Sequence, residues 1–312
     1  MNRPTPAREI ELKRRSRVAY SICSLVTDLA EYNEMVESFI QAGFHEEDCE
    51  FLYIDNSRGN KADAYAGYNE FLSRAQGDYI VLCHQDILLK FDRRPDLERH
   101  ISALDALDPA WGLLGNAGGN LVGMFAGRVS HPLFDSAPRT IEPWPALTLD
   151  ENFIVVKRQA NLGASRDLRG FHFYGTDLCV IGRVMGWSAW VVDFHLFHKS
   201  AGNFTDAFYA NRDEIEEKYR KALAGRYVQT TCTTLALGGS ASQRLWWRQK
   251  GRKLNFNEIY DARKQRKRGG APENNKKLPA LSKGWYVFYW LERKLTRPLS
   301  NLARALGKPR LP

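Results

Sequence analysis

The sequence YIVLCHQD, residues 79–86, decides the fold of this chain. Its first five residues form an apolar run of strand length, and the polar triplet His84-Gln85-Asp86 follows directly. The same alternation recurs upstream, with strands predicted at 18–26 and 50–54 and helices at 31–42 and 62–75. Short apolar strands that alternate with helices predict βαβ units and a mostly parallel sheet covered on both faces.

Further elements follow downstream of this stretch. Helices are predicted at 94–107, 178–185 and 206–224, and strands at 110–126, 153–157 and 189–197. Four prolines between 127 and 148 weaken the pattern there and predict irregular structure. A composition shift near residue 240 divides the chain into a charged leader at 1–16, an α/β domain at 17–239 and a basic, Trp-rich extension at 240–312.

Composition sets the class of protein. The 312 residues are 44% hydrophobic and 26% charged, which is typical of a globular protein. No stretch has the roughly 18 apolar residues of a membrane span, and residues 1–17 lack the apolar segment of a secretory signal. Five scattered cysteines without CxxC spacing indicate a reducing compartment. We therefore expect a cytoplasmic protein.

Positive charge is concentrated at the end of the chain. Residues 241–312 carry 19 Lys and Arg against 4 Asp and Glu, whereas residues 1–240 carry 26 against 32. Tryptophan and tyrosine lie among these cations in 244–250 and 285–291, a composition typical of a membrane–water interface. The extension is predicted to dock on an anionic membrane surface, at the inner face of the cell membrane, or to pack on the domain as a lid. We expect no nucleic acid partner, because no nucleic-acid-binding motif accompanies the basic run 263–268.

Two polar clusters follow predicted strands. Asp55-Asn56-Ser57 comes after the strand at 50–54, and His84-Gln85-Asp86 after the strand at 79–83. Ligands of open α/β sheets bind beyond the carboxyl ends of the strands. An oxygen ligand beside an imidazole suits Mg²⁺ or Mn²⁺ that bridges a diphosphate. The alternative is that these aspartates only cap helices or turns.

Taken together, the motifs resemble a known family. The ordered set consists of YIDNS (53–57), AGYN (66–69), AQGDYIVLCHQD (75–86), FHFYGTDLC (171–179), Gly186 and HLFHKSAG (195–202). This set resembles glycosyltransferases of the GT-A fold, and in particular a family-2-like bacterial group with His-Gln-Asp in place of Asp-x-Asp. The resemblance covers about residues 18–205. It implies a nucleotide-diphospho-sugar transferase fold, with a mixed, mostly parallel central sheet flanked by helices.

The resemblance also implies a donor site. Residues near the nucleotide sugar would be Thr27, Asp28, Asp55, Asn56, Asn69, His84 and Gln85. Asp86 and His198 would bind a divalent cation, Mn²⁺ or Mg²⁺. His84 stands where relatives have an aspartate and brings no negative charge, so the metal dependence stays open. His198 has the alternative role of a buried histidine at a strand end.

The acceptor half departs from the family pattern. Matching Asp177-Leu178-Cys179 to the family's Asp-Leu-Cys puts Gly175 where the usual catalytic aspartate stands. Asp177 is the nearest carboxylate and is our first choice for the general base, with Asp150 and Glu151 in reserve. A helix N-cap is the alternative role for Asp177.

The sequence therefore predicts an inverting glycosyltransferase. It would move a sugar from a nucleotide-diphosphate sugar to a glycan or lipid-linked hydroxyl acceptor, in surface polysaccharide or glycolipid assembly. The alternative is a non-catalytic protein that binds a nucleotide sugar or a glycan on the same scaffold. A Rossmann dehydrogenase is disfavoured, because GNAGG at 115–119 does not match GxGxxG after the first strand.

Overall fold

The computed structural model describes residues 18–120, 124–136, 142–200, 205–229 and 234–239. The helices in these ranges are α1 Leu29–Gln41, α2 Ala64–Arg74, α3 Arg94–Leu107, α4 Tyr174–Val184 and α5 Asp206–Ala222. The strands are β1 Tyr20–Val26, β2 Cys49–Asp55, β3 Tyr79–Cys83, β4 Ile87–Leu88, β5 Trp111–Gly115, β6 Ala117–Gly119, β7 Phe125–Gly127, β8 Val129–Ser130, β9 Trp144–Ala146, β10 Thr148–Leu149, β11 Phe153–Lys157, β12 Ser188–Val191, β13 Leu196–His198, β14 Arg226–Gln229 and β15 Thr234–Leu237.

A seven-stranded sheet forms the centre, in the order β2-β1-β3-β11-β5-β12-β9. Strands β1, β2 and β3 are parallel, β11 is antiparallel to both β3 and β5, and β12 is parallel to β5. Strand β9 closes the edge antiparallel to β12. The prediction of an α/β fold with a mixed, mostly parallel central sheet is confirmed.

Apolar side chains alternate between the two faces of this sheet. In β3, Val81 packs into the cluster on one face and Ile80 into the cluster on the other. Helices α1 and α3 cover the first face, with Met35 and Leu97 fully buried. Helices α2 and α4 cover the second face, with Tyr174 buried. Since successive strand residues point to opposite faces, one short apolar run supplies both cores.

A smaller sheet brings a distant segment to the end of β3. Its order is β4-β13-β8, and β4 follows β3 after three residues. In the antiparallel pair of β4 and β13, His198 lies opposite Ile87. This register sets His198 beside the residue that precedes Ile87, which is Asp86.

Several boundaries differ from those predicted. The strand expected at 110–126 is three separate strands, β5, β6 and β7. The helix expected at 178–185 begins at Tyr174, because its first turn is capped by a side chain from outside the segment. The strand expected at 189–197 is two strands, β12 and β13, separated by 192–195. Asp193 in this break pairs with Arg128 at 3.2 Å, and the His195 ring bonds Ser130 Oγ at 2.8 Å. At this break the chain leaves the central sheet and continues into the sheet of β4, β13 and β8.

The chain divides into two compact units, Met1–Ala222 and Leu223–Pro312. Within the described part of the second unit, β14 and β15 form an antiparallel hairpin. The predicted leader at 1–16 and extension at 240–312 lie outside the described residues, so the predicted domain division stays a prediction. Among the helices described, none is long and apolar enough to cross a membrane.

Candidate active site

The polar clusters predicted from the sequence meet at one edge of the sheet. Val26 at the end of β1 lies opposite Asp55 at the end of β2. Cys83 at the end of β3 lies opposite Phe153 at the start of the antiparallel strand β11. Residues that follow β3 therefore lie beside residues that precede β11. The His84 N–H donates to the Asn152 carbonyl oxygen at 3.1 Å across this junction.

Three potential metal ligands converge at this edge. His84, Asp86 and His198 each offer one ligand atom, and the three atoms lie within 4.8 Å of one another. His198 Nε2 is 3.3 Å from His84 Nδ1 and 3.2 Å from Asp86 Oδ1. Ser200 Oγ lies 3.1 Å from the same His198 nitrogen. Two imidazoles and one carboxylate form a donor set that fits a divalent cation.

The surroundings of Asp86 and His84 keep both side chains in the protonation state that binds a metal ion. Burial alone would raise the pKa of Asp86, but the His198 hydrogen bond and the two imidazoles lower it to about 2. Burial, followed by the nearby His198, lowers the pKa of His84. At neutral pH the carboxylate is therefore ionised and the His84 ring is neutral, which is the state a metal requires.

Gln85, between the two ligands, turns toward β1. Its Oε1 accepts the N–H groups of Thr27 and Asp28 at 2.7 and 3.0 Å. Its Nε2 donates to Thr27 Oγ1 at 3.0 Å and to Glu31 Oε2 at 3.3 Å. These hydrogen bonds of Gln85 hold the start of α1 against the segment 84–86, which contains the potential ligands His84 and Asp86.

Other residues predicted at the donor site differ in availability. Asp28 caps α1 by accepting the Ala30 and Glu31 N–H groups. The buried Asn56 bonds Lys61 and Ala62 within its own loop. Asn69 makes a paired hydrogen bond with the Ala164 backbone. The polar atoms of these three side chains are thus engaged in hydrogen bonds within the protein.

Asp55 keeps a partly exposed carboxylate at the edge. One of its oxygens accepts the Ser57 N–H at 2.9 Å and the Ser57 hydroxyl at 2.5 Å. These two hydrogen bonds lower the pKa of Asp55, and Lys61 Nζ lies 3.8 Å from the second oxygen. The carboxylate is thus fixed in direction, and one face remains open to solvent.

On the other side of the ligand cluster, Glu151 caps α4. Its carboxylate accepts the backbone N–H groups of Phe173, Tyr174 and Gly175, the last at 3.3 Å. Phe173 has φ 66°, a left-handed conformation that costs a residue other than glycine about 1 kcal/mol. Burial, and after it the charge of Asp150, raises the pKa of Glu151 to about 8. A carboxyl with such a pKa exchanges protons near neutral pH.

Asp177 lies in a different environment. It belongs to the first turn of α4, and it is fully buried. Its carboxylate accepts the Ser165 N–H and hydroxyl at 2.6 Å each, and the Tyr219 hydroxyl at 2.5 Å. The N-cap of α4 is Phe173, so the alternative role of Asp177 as N-cap is wrong. These contacts join α4 to α5 and to the loop before α4.

The sequence predicted different roles for two histidines, His84 and His198, that are in contact in the structure. It assigned His84 to the sugar and His198 to the metal, yet the two rings are in contact. The only sequence signal was that both follow apolar runs of strand length. Their proximity depends on the pairing of β4 with β13, which no local pattern reveals.

Comparison with known proteins gives one relative by sequence. The protein called ATP synthase subunits region ORF 6, from Fuscovulum blasticum, is 34% identical over 243 residues. The match covers 76% of this chain and 97% of that protein. No protein-family model matches the chain.

Solved structures with a similar arrangement include a mannosyltransferase and the S. aureus protein TarS. The mannosyltransferase PcManGT of Pyrobaculum calidifontis, in complex with GDP-Man and Mn²⁺, aligns with a TM-score of 0.42 and 14% identity over 68% of each chain. S. aureus TarS 1–349, in complex with UDP-GlcNAc, aligns with a TM-score of 0.42 and 10% identity over 60% of each chain.

Proposed function

Because the chain belongs to the family of the ATP synthase subunits region ORF 6 protein, whose name states no chemistry, we propose its function from its own site. The protein is a glycosyltransferase that moves a sugar from a nucleotide-diphosphate sugar to a hydroxyl acceptor. The observation that carries the proposal is the cluster of His84, Asp86 and His198 at the carboxyl edge of the sheet. Ligands of open α/β sheets bind at this edge.

The ligand cluster suits a diphosphate leaving group. When bound by Asp86, His198 and His84, a divalent ion would neutralise the negative charge that grows on the diphosphate as the glycosidic bond breaks. The half-buried, ionised Asp86 and the neutral His84 are in the metal-binding protonation state before any ligand binds. Ser200 holds the His198 ring in place.

The nucleoside would lie on the β1–β2 side of the cluster. Asp55 offers a partly exposed carboxylate there, which suits the paired hydroxyls of a ribose. Thr27 and Asp28 form the adjoining wall, and their backbone is held by Gln85. The acceptor would approach from the α4 side, where Glu151 lies. Attack from the face opposite the leaving group, assisted by one base, inverts the anomeric carbon.

A second function has one observation in its favour. Gly175 offers no carboxylate at the position where related transferases carry their base, which is compatible with a protein that binds a nucleotide sugar without transferring it. The two functions differ in one reaction. A transferase releases nucleoside diphosphate from its donor, whereas a binding protein leaves the donor intact.

The acceptor class and the membrane contact belong to the proposal as well. A basic, aromatic extension at 240–312 is compatible with a lipid-linked acceptor at an anionic membrane surface, as in polysaccharide or glycolipid assembly. This segment lies outside the described residues, so its composition alone supports this part of the proposal.

Calorimetry with UDP and GDP, each with and without Mn²⁺, tests the proposed donor site. We expect one nucleotide to bind, with an affinity that Mn²⁺ raises and that Asp86→Ala and His198→Ala abolish. His45→Ala is the matched control, because His45 is exposed and its ring lies outside the cluster. Failure of both nucleotides to bind with Mn²⁺, or an unchanged affinity in Asp86→Ala, contradicts the proposal.

A further inference from the structure

The first observation is that no side chain fits at Gly175. A Cβ there would lie 2.5 Å from the Leu149 carbonyl oxygen, 2.9 Å from Ile154 Cδ1 and 3.3 Å from Glu151 Cγ. The nearest of these atoms belongs to the backbone and cannot move aside. The side chain of Glu151, which belongs to the segment between β10 and β11, lies beside Gly175 in this space.

The second observation is that Glu151 is fixed at both ends. Its carboxylate accepts the N–H groups at the start of α4, and its own carbonyl oxygen accepts the Tyr174 hydroxyl at 3.0 Å. Tyr174 is buried, and its hydroxyl lies 3.1 Å from that of Tyr68. The side chain is therefore held in one direction, as a proton acceptor in catalysis requires.

The third observation concerns the position of Glu151 relative to the ligand cluster. The carbonyl oxygen of the next residue, Asn152, accepts the backbone N–H of His84. Glu151 is therefore adjacent in sequence to a residue that is hydrogen-bonded directly to the proposed ligand His84. Asn152 is only 2% exposed, and its side-chain oxygen has no hydrogen-bond partner in the described part of the chain. A buried acceptor without a partner is uncommon in a folded protein, and this one lies directly beside Glu151.

The other two candidate carboxylates are less suitable. Asp177 is fully buried and its oxygens are occupied by Ser165 and Tyr219. Asp150 is exposed, and its Oδ1 accepts the Asn152 N–H at 3.0 Å. Glu151 alone among the three combines partial exposure with a position against the start of α4 and beside the end of β3.

From this geometry we infer that Glu151 is the general base of the proposed transfer, in the place that Gly175 leaves without a side chain. The inference rests on the proposed function. In the step, the acceptor hydroxyl gives its proton to the Glu151 carboxylate, and its oxygen forms the new bond to the anomeric carbon. The bond from that carbon to the diphosphate breaks, and the nucleoside diphosphate leaves with the electron pair.

The pH dependence of the reaction follows from the surroundings of Glu151. The titratable groups that face it are Asp150 on its own segment, Tyr174 on α4, and Tyr65 and Tyr68 on α2. Burial raises the pKa of each tyrosine, so all three remain neutral between pH 6 and 9. The rate should then rise with pH as Glu151 loses its proton, and level off above about 8.

The experiment uses the full-length protein and hydrolysis of UDP- or GDP-sugars, with water as the acceptor. Glu151→Gln should lower turnover by about 10²–10⁴-fold and change donor affinity little. The rise of rate with pH should disappear in this variant. Glu47→Gln, which changes an exposed glutamate in the turn before β2, is the matched control and should keep both the turnover and the pH rise.

A second variant separates catalysis from helix capping. Glu151→Ala removes the cap and the base together, and added formate should restore part of its turnover, because a small carboxylate can enter the space. Thermal unfolding and donor affinity report whether each variant is folded. Near wild-type turnover in Glu151→Gln, or absence of formate rescue in a folded Glu151→Ala that binds donor, overturns the inference. If the wild type hydrolyses no sugar nucleotide, the proposed function itself fails.

Discussion

The side-chain oxygen of Gln85 accepts the Thr27 N–H at 2.7 Å, and this hydrogen bond joins the ends of two neighbouring strands. The same oxygen accepts the Asp28 N–H, and the side-chain amide donates to Thr27 Oγ1 and Glu31. The middle residue of the His-Gln-Asp triplet therefore acts within the protein, while its two neighbours face the cluster. Gln85 thus positions the start of α1 against the segment that carries His84 and Asp86.

Replacement of Gln85 by alanine removes these contacts. We expect a loss of about 1–3 kcal/mol in the free energy of unfolding, since four hydrogen bonds disappear and two N–H groups lose their acceptor. Donor affinity should fall as well, while the Mn²⁺ affinity of the free protein stays near wild type. Urea unfolding and calorimetry measure the two effects.

The control for this substitution is Gln41→Ala at the exposed end of α1, where the amide donates to Glu37 Oε1 at 3.2 Å. It should change stability by less than about 0.5 kcal/mol. Equal stability of Gln85→Ala and Gln41→Ala would show that the hydrogen bonds of Gln85 do not contribute to the free energy of unfolding.

The donor set of two imidazoles and one carboxylate predicts metal preference. Imidazole ligands favour the later transition metals, so Co²⁺ and Zn²⁺ should bind more tightly than Mn²⁺, and Mg²⁺ most weakly. His84→Asp replaces a nitrogen ligand by oxygen and should shift the preference toward Mg²⁺ and Mn²⁺. Competition calorimetry without nucleotide measures the order. An unchanged ratio of the Zn²⁺ and Mg²⁺ affinities in His84→Asp would exclude His84 as a ligand.

Metal affinity should also depend on pH. Asp86 stays ionised down to about pH 2, so it does not limit binding above pH 4. A bound imidazole must be neutral, and burial lowers the pKa of His84, which keeps this ligand available at neutral pH. Mn²⁺ affinity should therefore be constant at neutral pH and fall when acidification protonates the His84 ring. Affinity that does not fall on acidification to pH 4 would contradict binding by His84.

The sheet could be predicted from the sequence because its signals are local. The run at 79–83 is apolar throughout, as a strand buried on both faces must be, and it appears in the structure as β3 with the same bounds. Strand β11 likewise has the predicted bounds, 153–157. Both are determined by composition over five consecutive residues, so no distant contact was needed to find them.

The start of α4 could not be predicted in this way. A helix N-terminus is commonly recognised by a local Asp, Asn, Ser or Thr, and Asp177 offered such a signal. The structure instead begins the helix at Tyr174, with Glu151 as the acceptor for its first N–H groups. A cap that comes from more than twenty residues upstream leaves no pattern in the helix sequence itself.

The environment of Asp177 could not be predicted either, because it also depends on residues that are distant in the sequence. Its partners come from the loop before α4 and from Tyr219 near the end of α5. The sequence shows an aspartate near the proposed acceptor side, and only the packing of α5 reveals that its oxygens are occupied.

The basic extension gives a prediction that rests on the sequence alone. Arg266, Lys267 and Arg268 changed together to glutamine should weaken binding to vesicles of phosphatidylserine and phosphatidylcholine at least tenfold, since each cation near an anionic surface contributes about 1 kcal/mol. Added salt should have the same effect in the wild type. Vesicle sedimentation of the full chain measures both.

The control triple for the extension is Arg74→Gln, Arg99→Gln and Arg212→Gln, which removes the same charge from exposed positions of the first unit. It should bind the vesicles nearly as well as the wild type. Equal weakening in the two triples would indicate attraction by net charge alone, and no weakening in either would remove the membrane from the proposal.

The last prediction concerns Asp177 as a structural residue. Asp177→Asn keeps the size of the side chain but replaces an oxygen acceptor by an NH₂ donor, which then meets either the Ser165 N–H or the Ser165 and Tyr219 hydroxyls. Leaving buried donors without an acceptor should lower the free energy of unfolding by roughly 2–3 kcal/mol. Tyr219→Phe removes a single donor, leaves the other two hydrogen bonds in place, and should cost about 1 kcal/mol. Urea unfolding gives both values. In Asp177→Asn, turnover per folded molecule should stay within a few-fold of wild type below the unfolding transition. A stable Asp177→Asn protein with turnover reduced a hundredfold would indicate that Asp177, and not Glu151, is the general base.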